Sequence, residues 1–146
     1  YIEKNDSISR SLTLSKQEAV PVVEVPVIGN VAAGTPILAV ENIIEYFPVP
    51  EAYLKSGVTF MLKVKGDSMI DAGIHNNDMI LVKKQEVAYD KDIVVALIDN
   101  ETTVKTFYRE RDRVRLQPEN INYEPIYVYK DLQILGKVFG VFRIFN

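Results

Sequence analysis

The chain has 146 residues, no cysteine, one histidine, 47% apolar residues and a formal net charge of −3. These values exclude disulfides, thiol nucleophiles and thiolate or histidine-rich metal sites, and they exclude disorder over most of the length. The acidic balance argues against nucleic-acid binding by this segment itself, and no stretch reaches the roughly 18 apolar residues of a membrane span. No metal or other cofactor is expected, and with no apolar signal segment the expected setting is cytoplasmic.

Residues 1–20 differ in character from the rest. Tyr1-Ile2-Glu3-Lys4 and Leu12-Thr13-Leu14 read as two short hairpin arms around the polar stretch Asn5 to Ser11, and Ser15 to Val20 reads as a linker. Two such arms are not stable alone. They are expected to be the end of an upstream domain, with residues 21–146 forming a domain of their own. The start at Tyr1 rather than Met fits a fragment or a processed product.

From Pro21 onward, short apolar runs recur every ten residues or so. Pro21 to Gly29 is extended, with its prolines pointing to an edge or irregular strand. Val31-Ala32-Ala33-Gly34-Thr35-Pro36 is small and loop-like, Ile37 to Val40 reads as a short strand, and Glu51 to Lys55 as one helical turn. Phe60 to Lys65 alternates, placing Phe60, Leu62 and Val64 on one face. Met79 to Lys84 is a further strand. Asp92 to Ile98 is continuously apolar, the pattern of a strand buried on both faces, and Thr102 to Tyr108 returns as its hairpin partner. Val114-Arg115-Leu116, Ile126-Tyr127-Val128 and Val138 to Phe145 complete the set. No helical period persists for three turns, so the chain is read as all-β, a single compact domain of antiparallel strands and hairpins.

Gly66-Asp67-Ser68-Met69 follows the alternating strand. A serine where a strand gives way to a loop can serve as a nucleophile, with neighbouring backbone N–H groups facing a bound carbonyl. It can equally cap a helical turn, because Asp71 and Gly73 follow at capping distances. His75, in the polar turn Ile74 to Asp78, reads as a solvated turn residue rather than a base. A nucleophilic Ser68 therefore needs a lysine. Lysine titrates near 10.4 in water and accepts a proton only when burial lowers that value. Lys105 shares a strand face with Thr103 and Phe107, opposite the most apolar run in the chain, whereas Lys83, Lys84 and Lys91 lie near turns. The competing reading of Lys105 is an edge-strand lysine that blocks aggregation.

These pieces, in this order, resemble the C-terminal domain of LexA-type repressors, within the larger group of Ser-Lys self-cleaving proteins that includes UmuD and phage repressors. The resemblance covers about Val25 to Phe145. Val25-Pro26-Val27-Ile28-Gly29, Val31-Ala32-Ala33-Gly34 and Gly66-Asp67-Ser68-Met69 carry it first. Asp71-Ala72-Gly73-Ile74, Asp92 to Ala96, Thr103-Val104-Lys105, Leu116 to Asn120 and Leu135 to Val141 carry it through to the C-terminus. It implies Ser68 as nucleophile, Lys105 as general base, Ala33-Gly34 as the scissile pair in the same chain, and the backbone N–H groups of Asp67 and Ser68 as oxyanion hole.

It further implies an SOS-response repressor that binds operator DNA through an upstream winged-helix domain, whose last part would be residues 1–14. Cleavage would be stimulated by RecA filaments on single-stranded DNA, with the segment Val27 to Val40 held mostly away from Ser68 until then. The family also pairs its C-terminal region across a two-fold axis, which implies a homodimer through Gly136 to Phe145; exposed, that stretch would be an edge-strand hazard. The alternative is a UmuD-like self-cleaving accessory subunit of a translesion DNA polymerase.

Overall fold

A computed structural model describes residues 19–31 and 34–145. The expected hairpin arms at Tyr1–Lys4 and Leu12–Leu14, and Ala33 of the expected scissile pair, lie outside the described residues. The described chain divides into two units. The smaller contains residues 19–23 and 48–54, where the Glu51 N–H donates to the Pro21 carbonyl at 2.9 Å and Glu51–Tyr53 forms the single helical turn expected there. The larger contains residues 24–47 and 55–145, and it holds both cores and the candidate site.

Regular structure among the described residues is almost all β. The strands are β1 Val22–Ile28, β2 Ile43–Pro50, β3 Thr59–Lys63, β4 Met79–Lys84, β5 Ile93–Ile98, β6 Glu101–Arg109, β7 Val114–Gln117, β8 Ile126–Val128 and β9 Gln133–Phe142. They form one sheet in the order β2-β1-β3-β4-β9-β5-β6-β7-β8. The all-β class follows from the sequence as expected. The pairing of β1 with β3 departs from the antiparallel expectation: it is parallel, with Val27 beside Met61 and Ile28 beside Leu62.

β5 and β6 show why these residues make a hairpin. Asp99 and Asn100 form a two-residue turn with φ of +51° and +68°, so Ile98 pairs with Glu101. Two left-handed residues in succession match the twist of paired strands, and Asp and Asn tolerate that conformation. Along β5 the side chains alternate between two cores. Val95 and Leu97 join Phe60, Leu62, Val64, Ile80 and Val82 on one face. Val94 and Ala96 join Phe107, Val114 and Leu116 on the other.

Three local expectations are narrowed or overturned. Of the two placements expected for the Pro26 strand, edge or irregular, only the second holds, because β1 lies between β2 and β3. The missing proline N–H is tolerated because the ladder with β3 starts only at Val27. Ile37 to Val40 is not a strand. Ala39 N–H donates to the Pro36 carbonyl at 3.0 Å, a 3-10 turn spans Val40–Asn42, and the buried Asn42 amide donates to the carbonyls of Pro36 and Ile37 at 3.0 and 3.3 Å. A side chain thus satisfies the backbone that a sheet ladder would otherwise serve.

The third correction concerns the C-terminal stretch. β9 begins at Gln133 rather than Val138, and its first residues lie inside the sheet. Its residues 133–137 pair with β5, and residues 136–142 pair with β4. Only beyond Lys137 does it pair with β4 alone among the described residues. Gly136 sits where β9 crosses β4 most closely. A Cβ there would stand 2.5 Å from both the Lys83 carbonyl oxygen and Val82 Cγ1. Gly136→Ala is therefore expected to destabilise the fold by about 1–3 kcal/mol, measured by urea unfolding.

Candidate functional site

The loop that carries Ser68 is pinned at both ends. Where β3 finishes, the Val64 N–H donates to the Asp78 carbonyl and the Asn77 N–H donates back to the Val64 carbonyl, each at 2.8 Å. Gly66 then turns the chain at φ +86°, its N–H donating to Asn76 Oδ1 at 2.6 Å. Met69 is 1% exposed and inserts into the larger core, as does Ile74. Between them lies a 3-10 turn, Ile70–Ala72, closed by Gly73 at φ +83°. The glycine stop is as the sequence indicates.

The serine cap is not. Met69 occupies the cap position, and no side chain makes the capping bond. Ser68 Oγ instead accepts a hydrogen bond from Lys105 Nζ at 3.2 Å. The amine comes from a strand 37 residues away and needs an acceptor more than the local N–H groups do.

Lys105 is not on an edge, since β6 lies between β5 and β7. It is 8% exposed and faces Val94 across the ladder. Burial pulls its ammonium below the usual lysine range. Among the described residues its polar partners are two hydroxyls and no carboxylate: Ser68, and Thr103 Oγ1 at 2.6 Å. Thr103 lies two residues back on the same strand face. Both groups open into a cleft of about 360 Å³, whose wall includes Asn30 and Val31.

The structure thus brings Ser68 and Lys105 together. The backbone N–H groups of Asp67 and Ser68 have no acceptor among the described residues, while their carbonyls are bonded. Gly34 is exposed at φ +83° with no atom within 4 Å of a Cβ position. It does not line the Ser68 cleft. His75 is exposed, and its backbone N–H donates to Asp78 Oδ2 at 2.7 Å, so it works as a turn residue.

Three participants were not singled out from the sequence. Thr103 was visible at the i−2 position. Asn120 closes the Leu116 to Asn120 motif, but nothing local ties it or Tyr123 to Asp67, which they bond across 53 and 56 residues.

The family described as Peptidase S24-like matches residues 26–139, most of the chain. The chain belongs to the S24-like peptidase family. Within that family it is of the LexA type. The LexA repressor of Acetivibrio thermocellus is 61% identical over 83% of this chain, and that of Desulfitobacterium hafniense is 51% identical over all of it. The LexA repressor of Ruminiclostridium cellulolyticum is 58% identical over 83% of the chain. The matched part spans 57% of the A. thermocellus protein, 56% of the R. cellulolyticum protein and 73% of the D. hafniense protein.

The S24-like domain also ties its C-terminal end to the loop around Ser68. Asp78 is 1% exposed and accepts Arg143 Nε at 2.6 Å and Nη2 at 2.7 Å; the same Nη2 donates to the Gly73 carbonyl at 2.8 Å. The Arg143 bonds hold the Asp78 carboxyl below the usual range, outweighing burial. A carboxyl lowered on folding stabilises above its unfolded pKa of about 3.9, and the contribution disappears as pH falls through the folded value. Asp78→Asn is expected to lower the Tm at pH 7, with the gap to the parent closing below about pH 4 in a series of thermal melts.

Proposed function

We propose that this domain is the self-cleaving C-terminal part of an SOS-response repressor, and that it cuts its own Ala33-Gly34 bond with Ser68 and Lys105. The observation that carries the reading is a buried lysine, its pKa lowered by that burial, 3.2 Å from a strand-end serine hydroxyl. Neutral Lys105 takes the Ser68 proton as Oγ attacks the Ala33 carbonyl. The N–H groups of Asp67 and Ser68 receive the oxyanion. Collapse breaks the bond to Gly34, whose nitrogen leaves as an amine with the proton from Lys105. Water then attacks the acyl-serine, with Lys105 again as base, and restores the hydroxyl.

Small residues at 32–34 let the backbone approach Ser68 closely. Val31 and Ile37 are both buried in the larger core, and Val27 and Ile28 are paired in the sheet. Docking is therefore confined to the residues between Val31 and Ile37, a shorter segment than Val27 to Val40. A substrate tethered this closely has a high effective molarity, so restraint comes from keeping it out of the cleft. The exposed Gly34 agrees with that restraint. A RecA filament on single-stranded DNA acts by favouring the docked state. Operator DNA is bound by an upstream domain, and dimerisation uses β9 beyond Lys137. Its LexA repressor relatives favour this reading over a polymerase accessory subunit.

Lys105 must lose its proton, so self-cleavage is expected to rise at least about tenfold between pH 7 and 10 and to level off below the ordinary lysine pKa. Mass spectrometry of the products should show a new N-terminus at Gly34; an intact chain at pH 10 overturns the reading. Ser68→Ala and Lys105→Ala should each reduce cleavage by at least about a thousandfold. Lys105→Met removes a buried amine whose charged form opposes folding below the alkaline range. Its Tm at pH 7 should match or exceed that of the parent.

A further inference from the structure

The Ser68 N–H must face the scissile carbonyl, and a peptide's geometry says what aims it. No cis peptide occurs among the described residues. In a trans peptide the C=O and N–H lie in one plane and point in opposite directions. Whatever holds the Asp67 carbonyl therefore directs the Ser68 N–H. Within the loop, the Ile70 N–H donates to that carbonyl at a long 3.2 Å. The shorter bond comes from outside: Asn120 Nδ2 donates to the same oxygen at 2.9 Å.

The Asn120 amide is itself fixed at its other end, because its Oδ1 accepts the Asn122 N–H at 2.9 Å. Two further bonds join the same pair of loops. The Glu119 N–H donates to the Ser68 carbonyl, and the Asp71 N–H donates to the Glu119 carbonyl, each at 2.8 Å. Tyr123 adds a second arm, its hydroxyl donating to Asp67 Oδ1 at 2.5 Å. That bond holds the phenol above its usual pKa, so the arm persists in mildly alkaline solution.

We propose that Asn120 and Tyr123 are positioning residues: they clasp Asp67 from the loop after β7 and so aim the Ser68 N–H at the oxyanion. Neither touches the reacting atoms. The inference rests on the self-cleavage reading above and assigns residues that the nucleophile, base and scissile pair leave unexplained. A clasp of this kind acts on transition-state stabilisation alone. It lowers the limiting rate at high pH without moving the midpoint of the pH profile, which belongs to Lys105.

The test uses the full chain, Asn120→Ala and Tyr123→Phe, with Ser68→Ala as blank. Self-cleavage is followed from pH 6 to 11, and Ser68 is separately labelled with a fluorophosphonate, whose P=O occupies the oxyanion site without needing the 31–37 segment. Asn120→Ala should lower the limiting cleavage rate about tenfold and Tyr123→Phe about threefold, with unchanged midpoints and labelling slowed in parallel. Limiting rates within about twofold of the parent overturn the proposal. So does a loss explained by a shifted midpoint, or slowed cleavage with unchanged labelling. If Asn120→Ala does not fold, Tyr123→Phe decides, since it removes one hydroxyl and keeps the ring. A parent chain that cleaves at no pH overturns the self-cleavage reading instead, and is recognised by its identity with the blank.

Discussion

The structure turns on an amine that the fold keeps out of water. Lys105 sits in the middle of a sheet, between two other strands, with hydroxyls rather than a carboxylate for company. A carboxylate partner would stabilise the ammonium and leave it useless as a base. Hydroxyls satisfy its hydrogen-bonding needs while leaving the charge uncompensated. Ordinary β-sheet burial therefore also lowers the lysine's pKa: the apolar run of β5 that holds the hairpin together is what keeps the amine out of water.

The two halves of the site are held by different means. Lys105 is fixed by pairing with Val94 on one side, the ladder to β7 starts at the next residue, Thr106, and Thr103 restrains its far end. Ser68 lies on a loop, and loops need pins. Met69 supplies one by burial, Gly66 and Gly73 by left-handed turns, and the segment after β7 by direct bonds to Asp67 and Ser68. Three stretches distant in sequence converge on one hydroxyl, so small losses at any of them are felt at that oxygen.

Much of this was legible from residue patterns. The alternation through Phe60, Leu62 and Val64 and the continuous run at 93–98 mark β3 and β5 without help. Asp99-Asn100 marks the hairpin. Lys105 stands out because a charged residue opposite the most apolar strand is a local contradiction, and such contradictions gather at functional sites. What stayed hidden was long-range. Nothing in Gln133 to Lys137 announces a central strand, since Gly136 interrupts the pattern and the pairing partners lie 36 to 54 residues away. Ile37 to Val40 looked like a strand because the Asn42 side chain, which replaces the ladder, carries no periodic signature. The same blindness covers Asn120 and Tyr123. Ser68 looked like a cap because local spacing cannot reveal a competing donor from β6.

The parallel pairing of β1 with β3 carries one more consequence. Val25, Val27 and Ile28 are essentially inaccessible, and Ile28 and Ile37 belong to the same core on either side of the 31–37 segment. A backbone broken between them loses a covalent link but no buried contact. The severed halves would stay knitted together as a nicked molecule, and parting would await the slower peeling of β1 from its neighbours. On the proposed self-cleavage, scission and release would run on two clocks, the first set by a proton and the second by the sheet.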